Sequence, residues 1–71
     1  MREKLAEYRG NRSQSEMAKK YGVTQQAWSG WEKGTLTPVV LTMKRLEVDS
    51  GVPMEQLFPD VFDNLNVLKP A

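Results

Sequence analysis

The sequence predicts an all-α fold, a compact orthogonal bundle of five short helices with no sheet. Three observations carry the prediction. Apolar residues recur three or four apart in short stretches, as at Leu5 and Tyr8, at Met17, Ala18 and Tyr21, and at Trp28 and Trp31. Start and stop residues bound these stretches: Ser13, Thr24, Pro38 and Pro53 open helices, and Gly10, Gly22, Gly34 and Gly51 close them. Every stretch is brief, which argues against a long four-helix bundle. At 71 residues the chain makes one small domain with a thin core, so each buried side chain counts.

Helix 1 is predicted from about Arg2 to Arg9, with Leu5 and Tyr8 inward, Met1 a possible addition, and Arg2, Glu3, Lys4 and Glu7 outward. Asn11 and Arg12 form the link. Helix 2 opens on Ser13-Gln14-Ser15-Glu16, which fits a capping box: Ser13 accepts from the amide three residues on and Glu16 returns the bond. Met17, Ala18 and Tyr21 make its apolar face. Gly22 turns the chain and Val23 fills the space beneath. Helix 3 begins after the N-cap Thr24 and runs to about Lys33. It buries Trp28, Trp31 and part of Ala27, and exposes Gln25, Gln26, Ser29 and Gly30. Gly30 costs about 1 kcal/mol against alanine inside a helix.

Helix 4 is expected to take Thr37 as cap and Pro38 as first residue, running to about Ser50 with Val40, Met43 and Leu46 on one face. Leu41 and Val48 fall elsewhere on it. A fifth helix runs from Pro53 to about Phe58, burying Leu57 and Phe58, and Pro59 stops it. Residues 59–71 read as a C-terminal tail without a clean period. Its Phe62, Leu65 and Leu68 are read as packing back, forming a dimer interface or ending disordered, with some ordering favoured because large apolar residues would otherwise be exposed. The domain proper is residues 1–58.

Residues 14–33 are thus two short helices about a tight turn, the pattern of a helix-turn-helix. The charge pattern agrees. Net charge is only +1, but residues 1–45 hold nine basic and four acidic residues, while 46–71 hold one base and five acids. A basic half beside an acidic end suits an oriented binder of polyanions. Cysteine and histidine are absent, removing thiolate and imidazole chemistry, and there is no glycine-rich phosphate loop. An enzyme, a cofactor and a metal are therefore not expected, and no small-molecule substrate is evident. No apolar run approaches a membrane span, and MREK lacks a signal peptide's apolar core, so a cytoplasmic location away from membranes is expected.

The stretch SQSEMAKKYGVTQQAWSGWEKGTLTP resembles the Cro/C1-type (XRE) helix-turn-helix domain of phage repressors and bacterial regulators. Ser13-Gln14, Ala18, Gly22-Val23-Thr24, the Trp31–Gly34 run, Pro38 and the closing Gly51-Val52 with Leu57-Phe58 carry the resemblance, which covers roughly Leu5 to Phe58. It implies that Gln25 and Gln26, flanked by Ala27 and Ser29, reach base edges from helix 3. It also implies that Gln14 meets the DNA backbone and braces that helix, with Lys33 and Thr35 near phosphates. The chemistry is compatible. A glutamine amide pairs bidentately with adenine N6 and N7, and Ala27 could lie against a thymine methyl. Arg12 and Lys44 would add ionic phosphate contacts, and Thr24 brings the amides that open helix 3 toward the backbone. Glu32 reads as a structural hydrogen-bond or ion-pair residue, and the tryptophans as core.

Several residues depart from the family's pattern. Gly30 stands where a long polar side chain is common, leaving the C-terminal half of the reading face empty. The Thr35–Thr37 loop is less basic than usual, and Glu47 and Ser50 replace residues that are often apolar. The function expected is a sequence-specific regulator of transcription that binds operator double-stranded DNA, with repression as its sign. A homodimer on a two-fold operator is attractive because one such domain makes few base contacts. The alternative is a protein-interaction module on the same scaffold, such as an antitoxin subunit or an adaptor.

Overall fold

The computed structural model describes residues 1–68, with side-chain surroundings described through Asp63. Six helices follow in order: α1 (Glu3–Arg9), α2 (Gln14–Lys20), α3 (Gln25–Lys33), α4 (Val40–Ser50), α5 (Met54–Leu57) and α6 (Pro59–Leu68). No strand occurs among the described residues. The all-α class holds, and the described residues form six helices rather than five. The added helix begins at Pro59, read from the sequence only as a stop. Proline at a first helical position lacks just the amide that would be unpaired there, so one residue ends α5 and opens α6. The expectations for Leu65 and Leu68 lie outside the described side chains.

The core gathers one or two residues from each helix through α5: Leu5, Met17, Ala18, Trp28, Trp31, Met43, Leu46 and Leu57, with Tyr21 and Phe58 at helix ends. Val61 and Phe62 of α6 pack on its edge. Tyr21 stacks on Trp28 with ring centroids 5.7 Å apart, and Trp28 meets Trp31 at 5.6 Å, so the centre of α3 is held by an aromatic column. A buried indole N–H needs an acceptor, and Trp28 Nε1 donates to Glu32. The predicted inward and outward faces fail at four points, one of them Gly30, which is buried. Met1 and Val40 are largely exposed, and Arg2, expected outward, is 2% exposed.

The caps explain the element boundaries. Ser13 Oγ accepts from the Glu16 amide at 3.0 Å, but among the described hydrogen bonds Glu16 does not return one, so half of the predicted capping box is formed. Thr24 Oγ1 accepts from the Ala27 amide at 3.0 Å. Gly34 closes α3 in the left-handed region at φ 89°, which disfavours any side chain. α4 starts two residues later than predicted. Pro38 is buried outside the helix, and Val39, at φ −65° and ψ 159°, is an N-cap with no side-chain acceptor. Thr37 has another partner, accepting at Oγ1 from Arg2 Nη2 at 3.0 Å. Glu47 and Ser50, which stood out on α4, satisfy the next turn: Glu47 Oε2 accepts from the Met54 amide and Ser50 Oγ from the Val52 amide.

Candidate nucleic-acid interface

α2 and α3 pack directly on one another, joined by the four residues Tyr21–Thr24. Two devices fix their relative placement. The first is apolar: Met17, Ala18 and Tyr21 meet Trp28 and Trp31 in the core. The second is polar and centres on Glu32, 1% exposed. Its carboxylate accepts from Arg9 Nε at 2.6 Å, from Arg9 Nη2 at 3.2 Å, from Gln14 Nε2 at 3.4 Å and from Trp28 Nε1. Burial pushes this carboxyl up, but the donors from Arg9, Trp28 and Gln14 outweigh burial and hold it below the ordinary carboxylate range. Glu32 is the structural residue that its sequence context suggested, and through it Gln14 ties the start of α2 to α3.

This packing leaves one open depression of about 390 Å³, lined by Gln14, Gln25, Gln26, Ser29, Gly30, Lys33, Thr35 and Leu36. Six of the ten residues assigned to DNA contact thus share a single concave face: Gln14, Gln25, Gln26, Ser29, Lys33 and Thr35. The face carries three amides and two hydroxyls, and Lys33 is exposed beside them. Lys33 forms no ion pair among the described residues. Such a surface offers paired donors and acceptors with one exposed cation, chemistry suited to hydrogen bonding beside an anionic group.

The other four assigned residues do not line it. Thr24 is exposed at the start of α3, its hydroxyl oxygen engaged as cap. Ala27 is half-buried. Arg12 folds onto its own link: Nη2 donates to the Tyr8 carbonyl at 2.6 Å, Nε to the Arg9 carbonyl at 3.1 Å, and the guanidinium lies 5.0 Å from the Tyr8 ring centre. Lys44, on α4, is paired with Glu47 at 2.6 Å, which raises the ammonium and lowers the carboxyl from their ordinary values.

Gly30 corrects the sequence reading most directly. It was expected on the exposed side, as a gap in the polar face. It is buried, and the side chain of Leu36 lies over it, so that a Cβ at position 30 would stand 2.6 Å from Leu36 Cδ1. The empty half of the face is filled from the following loop. No periodicity could reveal this, because Leu36 is outside any helix; the only signal was a costly glycine inside one. Among the described residues there is no cluster of three or more His, Cys, Asp or Glu able to hold a metal ion, and no helix long and apolar enough to cross a membrane. Compared with known proteins, the chain matches no family model, no curated protein and no solved structure.

Proposed function

We propose that this chain is a sequence-specific double-stranded DNA-binding regulator in which α2 and α3 act as a helix-turn-helix and the first turn of α3 enters the major groove. The observation that carries the reading is the shared concave face. Gln14, Gln25, Gln26, Ser29 and Lys33, picked out by their resemblance to the Cro/C1-type pattern, line one depression supported by a buried aromatic column and a buried carboxylate. In this reading Gln25 and Gln26 meet base edges, while Gln14, Lys33 and Thr35 position the domain on the backbone.

A homodimer belongs to the proposal, since the short face of one domain contacts few base pairs and a two-fold operator doubles them. The test is titration of a labelled duplex, recovered by selection from a random pool, with anisotropy as readout. Gln25→Ala and Gln26→Ala are each expected to weaken binding by about 1–3 kcal/mol and to relax preference at one position. Lys33→Ala is expected to weaken selected and unselected duplexes alike. If both glutamine variants bind as the parent does, the readout assignment is wrong.

A second reading, a protein-interaction module, is favoured by one observation. At the start of α4, the consecutive residues Val39, Val40 and Leu41 are 70%, 69% and 83% exposed, apolar side chains that do not line the concave face. It would be preferred if no duplex from the pool were enriched.

A further inference from the structure

We propose that Leu36, a residue of the loop after α3, is a base-reading residue that contacts the C5-methyl of a thymine, taking the place of a side chain at position 30. The inference rests on the DNA-binding reading above and names a contact that neither the resemblance nor the periodicity of α3 assigns.

Position 30 lies four residues after Gln26 and three before Lys33, so a side chain there would continue their row on the face of α3. Glycine leaves that place open, and Leu36 occupies it: its Cβ, Cγ and Cδ1 would lie 3.0, 2.7 and 2.6 Å from a Cβ at position 30. Leu36 also lines the depression with Gln25, Gln26 and Ser29 and stays 50% exposed. One side of the isobutyl group is therefore seated on α3 and the other is open to a ligand. Within a face otherwise polar and glutamine-rich, that is an apolar contact point, and the major groove presents one matching apolar group, the thymine methyl.

The seat is built from both sides of the loop. The Gly30 carbonyl accepts from the amides of Gly34, Thr35 and Leu36 at 2.9, 3.0 and 3.1 Å. The Leu36 carbonyl in turn accepts from the buried Arg2 Nη1 at 2.7 Å. The backbone of Leu36 is thus fixed before any ligand arrives, which lowers the ordering cost of the contact.

The test replaces each thymine of a selected duplex by deoxyuridine, which removes the methyl and keeps the Watson–Crick edge. Wild type is expected to lose about fourfold in affinity at one thymine per half-site, the size of losing one buried methyl-sized group. Leu36→Ala should bind the thymine and uracil duplexes equally there, and Leu36→Met should retain the discrimination. Gln26→Ala should weaken binding but keep the thymine-to-uracil ratio. In the wild-type complex, an isotope-filtered nuclear Overhauser contact between that methyl and the Leu36 δ-methyls is expected, which needs no variant to fold. If every thymine tolerates uracil while the glutamine variants still lose affinity, only this inference fails. If discrimination survives in Leu36→Ala but vanishes in Ala27→Gly, Ala27 reads the methyl and the inference is likewise overturned. A random pool that yields no enriched duplex removes the DNA-binding reading and this inference with it.

Discussion

Arg2 joins three segments that are far apart in sequence. All five of its N–H donors are used: Nε and Nη2 on Asp60, Nη1 on the Trp31 and Leu36 carbonyls, and Nη2 also on Thr37 Oγ1. The guanidinium also stands 4.9 Å from the centre of the Phe58 ring. Removing it strands the Trp31 carbonyl in a buried position, whereas Asp60, 52% exposed, can turn to water. Arg2→Ala is therefore expected to lose about 2 kcal/mol of stability and Asp60→Asn clearly less, measured by urea unfolding. The sequence concealed this residue. Arg2 lies just before α1, where helical spacing carries no information, and a charged side chain there reads as solvated. Glu32 was legible because a carboxylate four residues after a buried indole has an obvious partner.

The same two carboxylates set a dependence on pH. Hydrogen bonds from Arg2 lower Asp60 against a smaller effect of burial, and the donors around Glu32 lower it against a larger one. Both groups have folded values below their unfolded ones. Their contribution is full above the ordinary carboxylate range and is lost as pH falls through the folded values. Melting temperature should decline once pH drops below about 4. Glu32→Gln should lower stability at neutral pH and reduce that acid-dependent loss. Tyr21 belongs to the opposite case. Burial, followed by hydrogen bonds to Tyr8 and Asp49, raises its phenol, so it stays protonated and donates to Asp49 at 2.8 Å.

At the level of elements, stop and start signals were read more accurately than the faces they bound. The caps of α2 and α3 and the glycine ends of α3 and α4 stand where the residue types placed them. The start of α4 does not, because a Thr-Pro signal competes with tertiary demand: Arg2 takes the Thr37 hydroxyl and Pro38 is buried. The resulting N-cap, Val39, is 70% exposed and offers no acceptor. Val39→Asp is therefore expected to stabilise the domain by about 1 kcal/mol, while Thr24→Ala should cost about as much, both read from thermal or urea unfolding. α6 went unread because Pro59 was taken only as a stop, whereas it follows the end of α5 and is itself the first residue of the next helix.

For the whole molecule, the asymmetry of charge in the sequence is reduced by folding. Of the nine bases in residues 1–45, Arg2, Lys4, Arg9, Lys44 and Arg45 pair with Asp60, Glu7, Glu32, Glu47 and Asp49. Arg12 and Lys20 lie over the Tyr8 ring. Few cations therefore remain for phosphates, and Lys33 is the one on the concave face. The expected salt dependence is correspondingly shallow, with a slope of log K against log salt of about −2 to −4 per protomer, since each neutralised phosphate contributes about −0.9. Shape and hydrogen bonding, rather than bulk charge, would then supply discrimination.

Whether the first turn of α3 reads base edges through Gln25 and Gln26, as proposed, is decided by parallel selection. Wild type and the double variant Gln25→Ala, Gln26→Ala are each taken through the same random duplex pool, with circular dichroism confirming that both are folded. Wild type is expected to enrich one defined site, repeated as a two-fold pair, and the double variant no site or a degenerate one. Enrichment of the same site to the same depth by both proteins would contradict the proposed readout.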